Sequence, residues 1–396
     1  MQLVEQHIIK KSNPIFSELD RMTFLSKNLY NQALYQIRQE YFNKNKYLKY
    51  NDLARKFSSE KQVDYIALPA KVSQWVLKQV DKNFISFFNS IHSNNIIHKV
   101  HIPRYLNKNG RNLLTFTNQA ISVKELKQGY LKLSGCEGKI PVIHKNINQV
   151  RVVPKNNYFV IEVIYNQEIK PKKQSNNFVG IDLGLNNLAT IGGNNTKPMI
   201  VNGRPLKSIN QYYNKQLSIL KSRQNTCKNK NVNSLKIKQL INKRNNKIKD
   251  YLHKSSRMLV NRLVSNNVSV IVIGHNKEWK QDINIGKINN QKFVQIPYNQ
   301  FINMITYKSE LEGIKVIQRE ESYTSKCSFL DNELICKHET YQGNRIKRGL
   351  FRTSTGRLIN ADLNGALNIL KKEIPNAFNE GYGIEVCSTP LVLTIK

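Results

Sequence analysis

The sequence predicts a multidomain protein: an α+β part built on strands and interrupted by helices, then an α/β part with a mixed sheet. Three patterns predict it. Apolar residues recur at three- and four-residue spacing through roughly the first ninety residues; short alternating segments replace them from about residue 97 to 168; after a polar stretch, apolar strands then alternate with helices.

Residues 2–9 (QLVEQHII) read as a strand, and Pro14 opens a helical stretch over Ile15 to Tyr41 with Phe16, Leu19, Met22, Leu25, Leu29, Ala33, Leu34 and Ile37 at helical spacing. Helices follow over Tyr50 to Phe57 and Ala70 to Ile91, the latter with Val72, Trp75, Val76, Val80, Phe84 and Phe88 on one face, which reads as core. NLLTFTN, AISVKEL, YLKLSG, QVRVVPK and YFVIEVIYN read as short strands of a small barrel or sandwich that the first strand joins across the helices. PKKQSNN (171–177) is a basic linker. The expected divisions are 1–12 for the first strand, 13–95 for the helical insertion, 96–172 for the remaining strands and 173–396 for the α/β domain.

In that last domain, NFVGIDLGLNNLATIGG is a strand that ends in a carboxylate and is followed by a second strand, LATI. A helical hairpin is expected over 207–265, broken near Lys228 to Asn233. Between Lys207 and Arg262 it holds 15 Lys and Arg against one acid, Asp250, a balance that favours contact with phosphate over a merely solvated face. VSVIVIG (268–274) is a buried strand, Pro297 to Leu311 a helix, GIKVIQREE (313–321) a strand ending in carboxylates, and INADLNGALNILKK (359–372) an amphipathic helix with a carboxylate in its opening turn.

The 396 residues include 62 Lys plus Arg and 27 Asp plus Glu, a formal charge of +35 interleaved with 18 Tyr and 15 Phe. A shortage of acids on that scale points to a polyanion, and the spread of charge with aromatics suits nucleic acid. An AT-rich coding bias inflates Lys and Asn without explaining the missing acids. No apolar run approaches the ~20 residues of a membrane span, and Met1 to Lys11 does not build a signal-peptide core, so a cytoplasmic protein is expected. Five scattered cysteines, Cys136, Cys227, Cys327, Cys336 and Cys387, do not make a disulfide framework.

In a chain this poor in acids, Asp182, Glu321 and Asp362 each stand at a strand end or a helix start. Such positions can converge from distant segments, and hard oxygen ligands gathered there suit Mg²⁺ or Mn²⁺; two such ions activate water and stabilise the leaving oxygen of a phosphodiester. Singly, each has a smaller task open to it: Asp182 capping a turn beside Gly184, Asp362 capping the last helix, Glu321 as a surface charge.

GIDLGLNNLAT resembles the first motif of RuvC-like nucleases of the RNase H fold, INADLNGALNIL resembles the third, and ESYTSKCSFLD carries the Tyr-Thr-Ser segment of the TnpB family. That family resembles the single-effector nucleases of type V CRISPR systems and the Fanzor proteins. The resemblance implies an N-terminal β-barrel with a helical insertion followed by a RuvC-like domain. It implies an RNA-guided DNA endonuclease with two divalent ions, a guide RNA from the transposon end and double-stranded target DNA with a short adjacent motif. It further implies Asp182, Glu321 and Asp362 as catalytic metal ligands. A protein monomer is the default expectation, and the nucleic-acid contacts expected are Arg244, Lys247, Arg257, Lys280, Thr324, Ser325, Arg345, Lys347 and Arg348. The alternative is an RNA-guided DNA-binding repressor without cleavage.

Two departures stand out. Relatives end the second catalytic strand with Glu; here IVIGHNKEW places Gly274 there, and Glu321, separated by two residues from the Thr324-Ser325 pair as in many Fanzor proteins, is taken as the relocated ligand, with Glu320 and Glu278 as second choices. Glu320 and Glu321 should face opposite ways in a strand. Relatives also carry two Cys-x-x-Cys pairs before the last Asp; here only Cys327, Cys336 and His338 lie in the interval, one short of a four-ligand zinc site. A zinc-free insertion over 325–357 is expected.

Overall fold

The computed structural model describes residues 1–92, 100–225, 234–276, 286–379 and 389–395. The chain divides into two compact units, Met1–Gln167 and Glu168–Lys396.

In the first unit, β1 (Gln2–Lys10) pairs antiparallel along its length with β6 (Tyr158–Asn166). Next come β5 (Ile147–Lys155) and β2 (Leu114–Thr117), in the order β1-β6-β5-β2. Between β1 and β2 lie α1 (Phe16–Lys44), α2 (Tyr50–Ser59), α3 (Val63–Ala67) and α4 (Ala70–Ile91). Leu19, Leu29, Leu34 and Ile37 of α1 and Val72, Val76, Val80 and Phe84 of α4 share one core with Val150, Val152, Ile161 and Val163 of the sheet. The three-four spacing thus marks the buried stripe, each such side chain contributing about 1.5–3 kcal/mol.

Among the described residues β1 and β2 are edges that do not pair with each other, so these strands form an open sheet covered by helices where a barrel was expected. AISVKEL is one reason. It leaves a 3₁₀ turn (Asn118–Ala120) and forms most of α5 (Val123–Lys127), started by Ser122, whose hydroxyl faces the Glu125 N–H at 3.5 Å. YLKLSG contributes only β3 (Tyr130–Leu131), which pairs with β4 (Ile140–Pro141) in a separate ladder.

The second unit is built on six strands in the order β11-β10-β7-β8-β9-β15. They are β7 (Phe178–Leu183), β8 (Asn187–Gly193), β9 (Met199–Asn202), β10 (Val270–Gly274), β11 (Lys315–Arg319) and β15 (Leu391–Leu393). β7, β10 and β11 run parallel, β8 is antiparallel to β7 and β9, and β15 joins β9 in parallel. The basic hairpin consists of α6 (Arg204–Asn225) and α7 (Leu235–Ser265); its expected break at 228–233 lies outside the described residues. α8 (Lys287–Val294) and α9 (Tyr298–Leu311) follow.

Alternation along the strands gives each face its own partner. Val179, Ile181, Leu183, Ile271 and Ile273 pack with Leu252, Leu259 and Leu263 of α7 and Phe301, Ile302 and Ile305 of α9. The other face is covered by α10 (Ala361–Glu373), whose Ile369 and Leu370 pack on Val272. A Cβ on Gly180 would overlap the Ala366 carbonyl oxygen, so glycine is what allows α10 to lie directly on β7. Between β11 and α10 the chain forms a small sheet of β12 (Asn344–Lys347), β13 (Leu350–Arg352) and β14 (Leu358–Asn360). Among the described residues no helix is long and apolar enough to cross a membrane.

Candidate active site

Asp182 is the penultimate residue of β7, and the alternation that buries Ile181 and Leu183 against α7 and α9 turns its carboxylate towards α10. Gly365 lies opposite: a Cβ there would stand 3.2 Å from Asp182 Oδ2. The glycine in the helix motif therefore gives the carboxylate its room.

Pairing of Ile181 with Ile273, and of Gly274 with Arg319, sets Gly274 beside Asp182 and brings the end of β11 to the same edge. Glu321 follows that strand end. Its backbone N–H donates to Asn276 Oδ1 at 3.0 Å, and a Cβ on Gly274 would lie 2.7 Å from Glu321 Oε2 and 2.5 Å from Ile369 Cδ1. Glu321 thus occupies the space that a side chain at 274 would need. Glu320 turns the other way and is exposed, accepting from the Ser322 hydroxyl at 2.7 Å and from Lys372 Nζ at 2.9 Å. Glu278 and Lys280 lie outside the described residues.

Asp362 opens α10 but does not cap it. Asn360 is the cap, its Oδ1 accepting the N–H groups of Asp362 (3.0 Å) and Leu363 (3.1 Å). The Asp362 carboxylate is left to accept Arg345 at Oδ1 and Asn187 Nδ2 at Oδ2, both at 2.8 Å. Since Asn187 begins β8, Asp362 lies on the β8 side of Asp182, while Glu321 lies on the side of β10 and β11. Tyr298 supports the loop between them by donating to the Gly184 carbonyl at 3.0 Å.

Burial, then the nearby Glu321 and Asp362, push the Asp182 carboxyl well above the usual range, against the opposing pull of Arg345. Burial and Glu320 raise Glu321 to about 7, with Lys372 opposing. Among the described residues no three His, Cys, Asp or Glu side chains gather closely enough to hold a single ion between them. Glu321 and Asp362 instead flank Asp182 on two sides, and Asp362 is occupied by the Arg345 guanidinium. A group raised on folding stabilises the fold below its unfolded pKa and loses that contribution as pH rises through the folded value. For Glu321 this window runs from the ordinary 4.5 to about 7. The metal-free protein should therefore lose about 3 kcal/mol of stability across it, and Glu321→Gln should flatten the decline in melting temperature with pH.

Other expected residues divide sharply. Lys247, Arg257, Ser325, Lys347 and Arg348 are exposed. Arg244 is not available as a phosphate contact: it lies over the Tyr213 ring and donates to Asn210 Oδ1 and the Gln295 carbonyl, each at 2.8 Å, tying α6, α7 and the segment before α9 together. Thr324 is 3% exposed, and its hydroxyl donates to the Glu321 carbonyl at 2.8 Å, so it closes the turn behind the carboxylate and does not reach a ligand.

The segment around Cys327, Cys336 and His338 is organised by a buried acid. Glu333 accepts the Ser328 N–H at 2.7 Å and the Gln342 N–H at 3.1 Å. His338 Nε2 lies 2.7 Å from the Leu334 carbonyl and 3.4 Å from Cys336 Sγ. Two buried residues of α10 then fix this turn: Asn364 and Asn368 both donate to the Cys327 carbonyl at 2.8 Å. Sequence reasoning missed these two, together with Asn187 and Asn360. The available signal was a pair of amides four residues apart inside an apolar helical run.

Two family models match the chain: OrfB_IS605, described as a probable transposase, over residues 159–280, and the Cas12f1-like TNB domain over residues 298–369. A TnpB-like protein, ORF457 of Acidianus two-tailed virus, is 27% identical over 220 residues, covering 54% of this chain and 45% of that protein. The CRISPR-associated endodeoxyribonuclease Cas12f2 of Micrarchaeota archaeon (strain CG1_02_47_40) is 27% identical over 236 residues, covering 55% and 41%. The matches thus span somewhat under half the length of these curated relatives. Among solved structures, a Cas12f1–sgRNA–target DNA complex aligns with a TM-score of 0.40 at 14% identity, over 94% of this chain and 100% of that one. The first motif, the Tyr-Thr-Ser turn and all but the last residue of the third motif lie within the two matched regions, and these matches together support a TnpB-family protein.

Proposed function

We propose that the protein is an RNA-guided DNA endonuclease of a mobile element, cutting phosphodiester bonds at Asp182, Glu321 and Asp362. The observation that carries this reading is the Glu321 carboxylate seated in the space left by Gly274, beside Asp182. It supplies the acid that the β10 strand end lacks.

The donor set fits two hard divalent cations, Mg²⁺ or Mn²⁺: all three side chains offer carboxylate oxygens, and burial together with the repulsion of Glu321 and Asp362, which raise Asp182, leave it short of positive charge. Asp182, between the other two, would be the shared ligand. Such ions, when bound, supply the charge that makes water a nucleophile and stabilises the leaving oxygen. Asn276 orients Glu321 through its backbone, Asn187 orients Asp362, and Arg345 brings a guanidinium to the edge of the site, where it can accept a phosphate in exchange for Asp362. Zinc has no part in this reading, because Glu333 already organises the segment that would hold it.

The direct test is expression with the flanking DNA of the gene, isolation of the RNA complex, and challenge of a plasmid library randomised beside the guide match. Guide-matched double-strand breaks in Mg²⁺ and none in EDTA are expected. Guide-dependent binding without breaks would instead favour the repressor reading, to which the substitution of Gly274 for the usual acid lends its weight.

A further inference from the structure

The second unit carries a cationic groove on the face of its sheet remote from the carboxylates. It has a volume of about 930 Å³ and is lined by His253, Lys254, Arg257 and Arg262 of α7 and Tyr307 and Lys308 of α9. No acidic side chain is among its lining residues; Asp250, one turn back on α7, pairs with Lys254 at 3.1 Å. Lys254 and Arg257 are three residues apart and Arg262 is five further on, so the exposed cations that line the groove are spread over about 12 Å of the length of α7.

The groove has a built floor. Lys308 is 3% exposed, and its ammonium donates to the His253 carbonyl at 2.8 Å and to Ser256 Oγ at 2.7 Å. An ammonium has three donors, so these two contacts fix its position while leaving it charged for a further acceptor. Burial and the neighbouring Arg257 lower it to about 8, the response expected of a cation held among cations without an anion.

The faces of the sheet separate this groove from the cutting site. α7 and α9 cover the side of Val179, Ile181 and Leu183, whereas Asp182 turns towards α10. A strand being cut must pass the α10 side. A polyanion seated between α7 and α9 therefore lies away from the cutting edge and leaves it open. We propose that this groove seats the phosphate backbone of the guide RNA, with Lys254, Arg257 and Arg262 along the strand and Lys308 beneath it. The assignment rests on the RNA-guided reading above.

The test uses the full chain with Arg257→Glu and Arg262→Glu combined, titrated with a transcript of the DNA flanking the gene and, separately, with an unrelated DNA duplex. The transcript should bind roughly ten-fold or more weakly to the variant, the slope of log K against log salt should shrink by about 1.5, and duplex affinity should be unchanged. Should the double reversal fail to fold, as its melting curve would report, Arg257→Gln with Arg262→Gln should give a smaller loss in the same direction. Unchanged transcript affinity in a folded variant overturns the groove while leaving the nuclease reading intact. Loss of duplex affinity alone overturns the choice of RNA, and a wild-type protein that binds no transcript overturns the RNA-guided reading itself.

Discussion

Asp182→Ala should cut guide-matched DNA at least about a thousand-fold more slowly than the wild type while binding RNA and matched DNA unchanged. The size of the effect follows from its position: Asp182 faces both other carboxylates, so its loss removes an oxygen donor from each side of the site at once. Binding is spared because the side chain points at Gly365 of α10 and not along the basic surfaces. The same substitution should raise the melting temperature of the metal-free protein, since a buried, crowded carboxyl is removed and its repulsion with Glu321 and Asp362 relieved. Slower cutting with a higher melting temperature is a signature that general misfolding cannot produce. Cutting at an undiminished rate would remove Asp182 from the site.

Glu321→Ala should be as inactive, and its rescue is the sharper result. Glu placed at Gly274 in the otherwise wild-type chain should not help, because its Cβ would press on Glu321 Oε2 and Ile369 Cδ1. Overpacking of this kind costs about 1–3 kcal/mol and would push Glu321 away. With Glu321→Ala the first obstruction is gone, and Ile369→Val reduces the second. The triple variant Glu321→Ala, Gly274→Glu, Ile369→Val should therefore recover part of the cutting rate, measured on the guide-matched substrate in Mg²⁺. A folded triple variant as inactive as Glu321→Ala would count against a shared space for the two positions.

Much of this arrangement was legible from spacing. The three-four stripes of α1 and α4, the strands β7, β10 and β11, and the segment that forms α10 follow the sequence pattern because burial on one face leaves a period. Glu320 and Glu321 face apart for the same reason, with an exposed Lys372 partner for one and Gly274 beside the other. What pattern did not reveal is pairing between distant segments. Whether β1 and β2 close on each other depends on hydrogen bonds more than a hundred residues apart in sequence, which leave no local trace. β9 and β15 are short, and their parallel pairing joins residues near 200 and 392.

Polar side chains were the harder part. Arg244 and Thr324 were expected to contact nucleic acid, yet both make internal hydrogen bonds. Asn360 took the capping task open to Asp362 because it stands one residue before the helix begins and its amide oxygen reaches two N–H groups. Type and position in the chain do not distinguish an amide that caps from one that staples; only the partner does.

The stapling of the Cys327 carbonyl to Asn364 and Asn368 has a consequence for how this chain can vary. Both ends of the excursion between residues 328 and 358 are tied to α10, one by those amides and the other by the direct run of β14 into the helix. The entropy of closing the loop is set by ends already fixed, and doubling its length would add only about 0.6 kcal/mol. Residues can be gained or lost within it, a Cys-x-x-Cys pair included, without moving Glu321 or Asp362. Away from Arg345, Glu333 and the buried Phe351, the excursion is a cassette whose length can drift while the carboxylates that flank it stay in register.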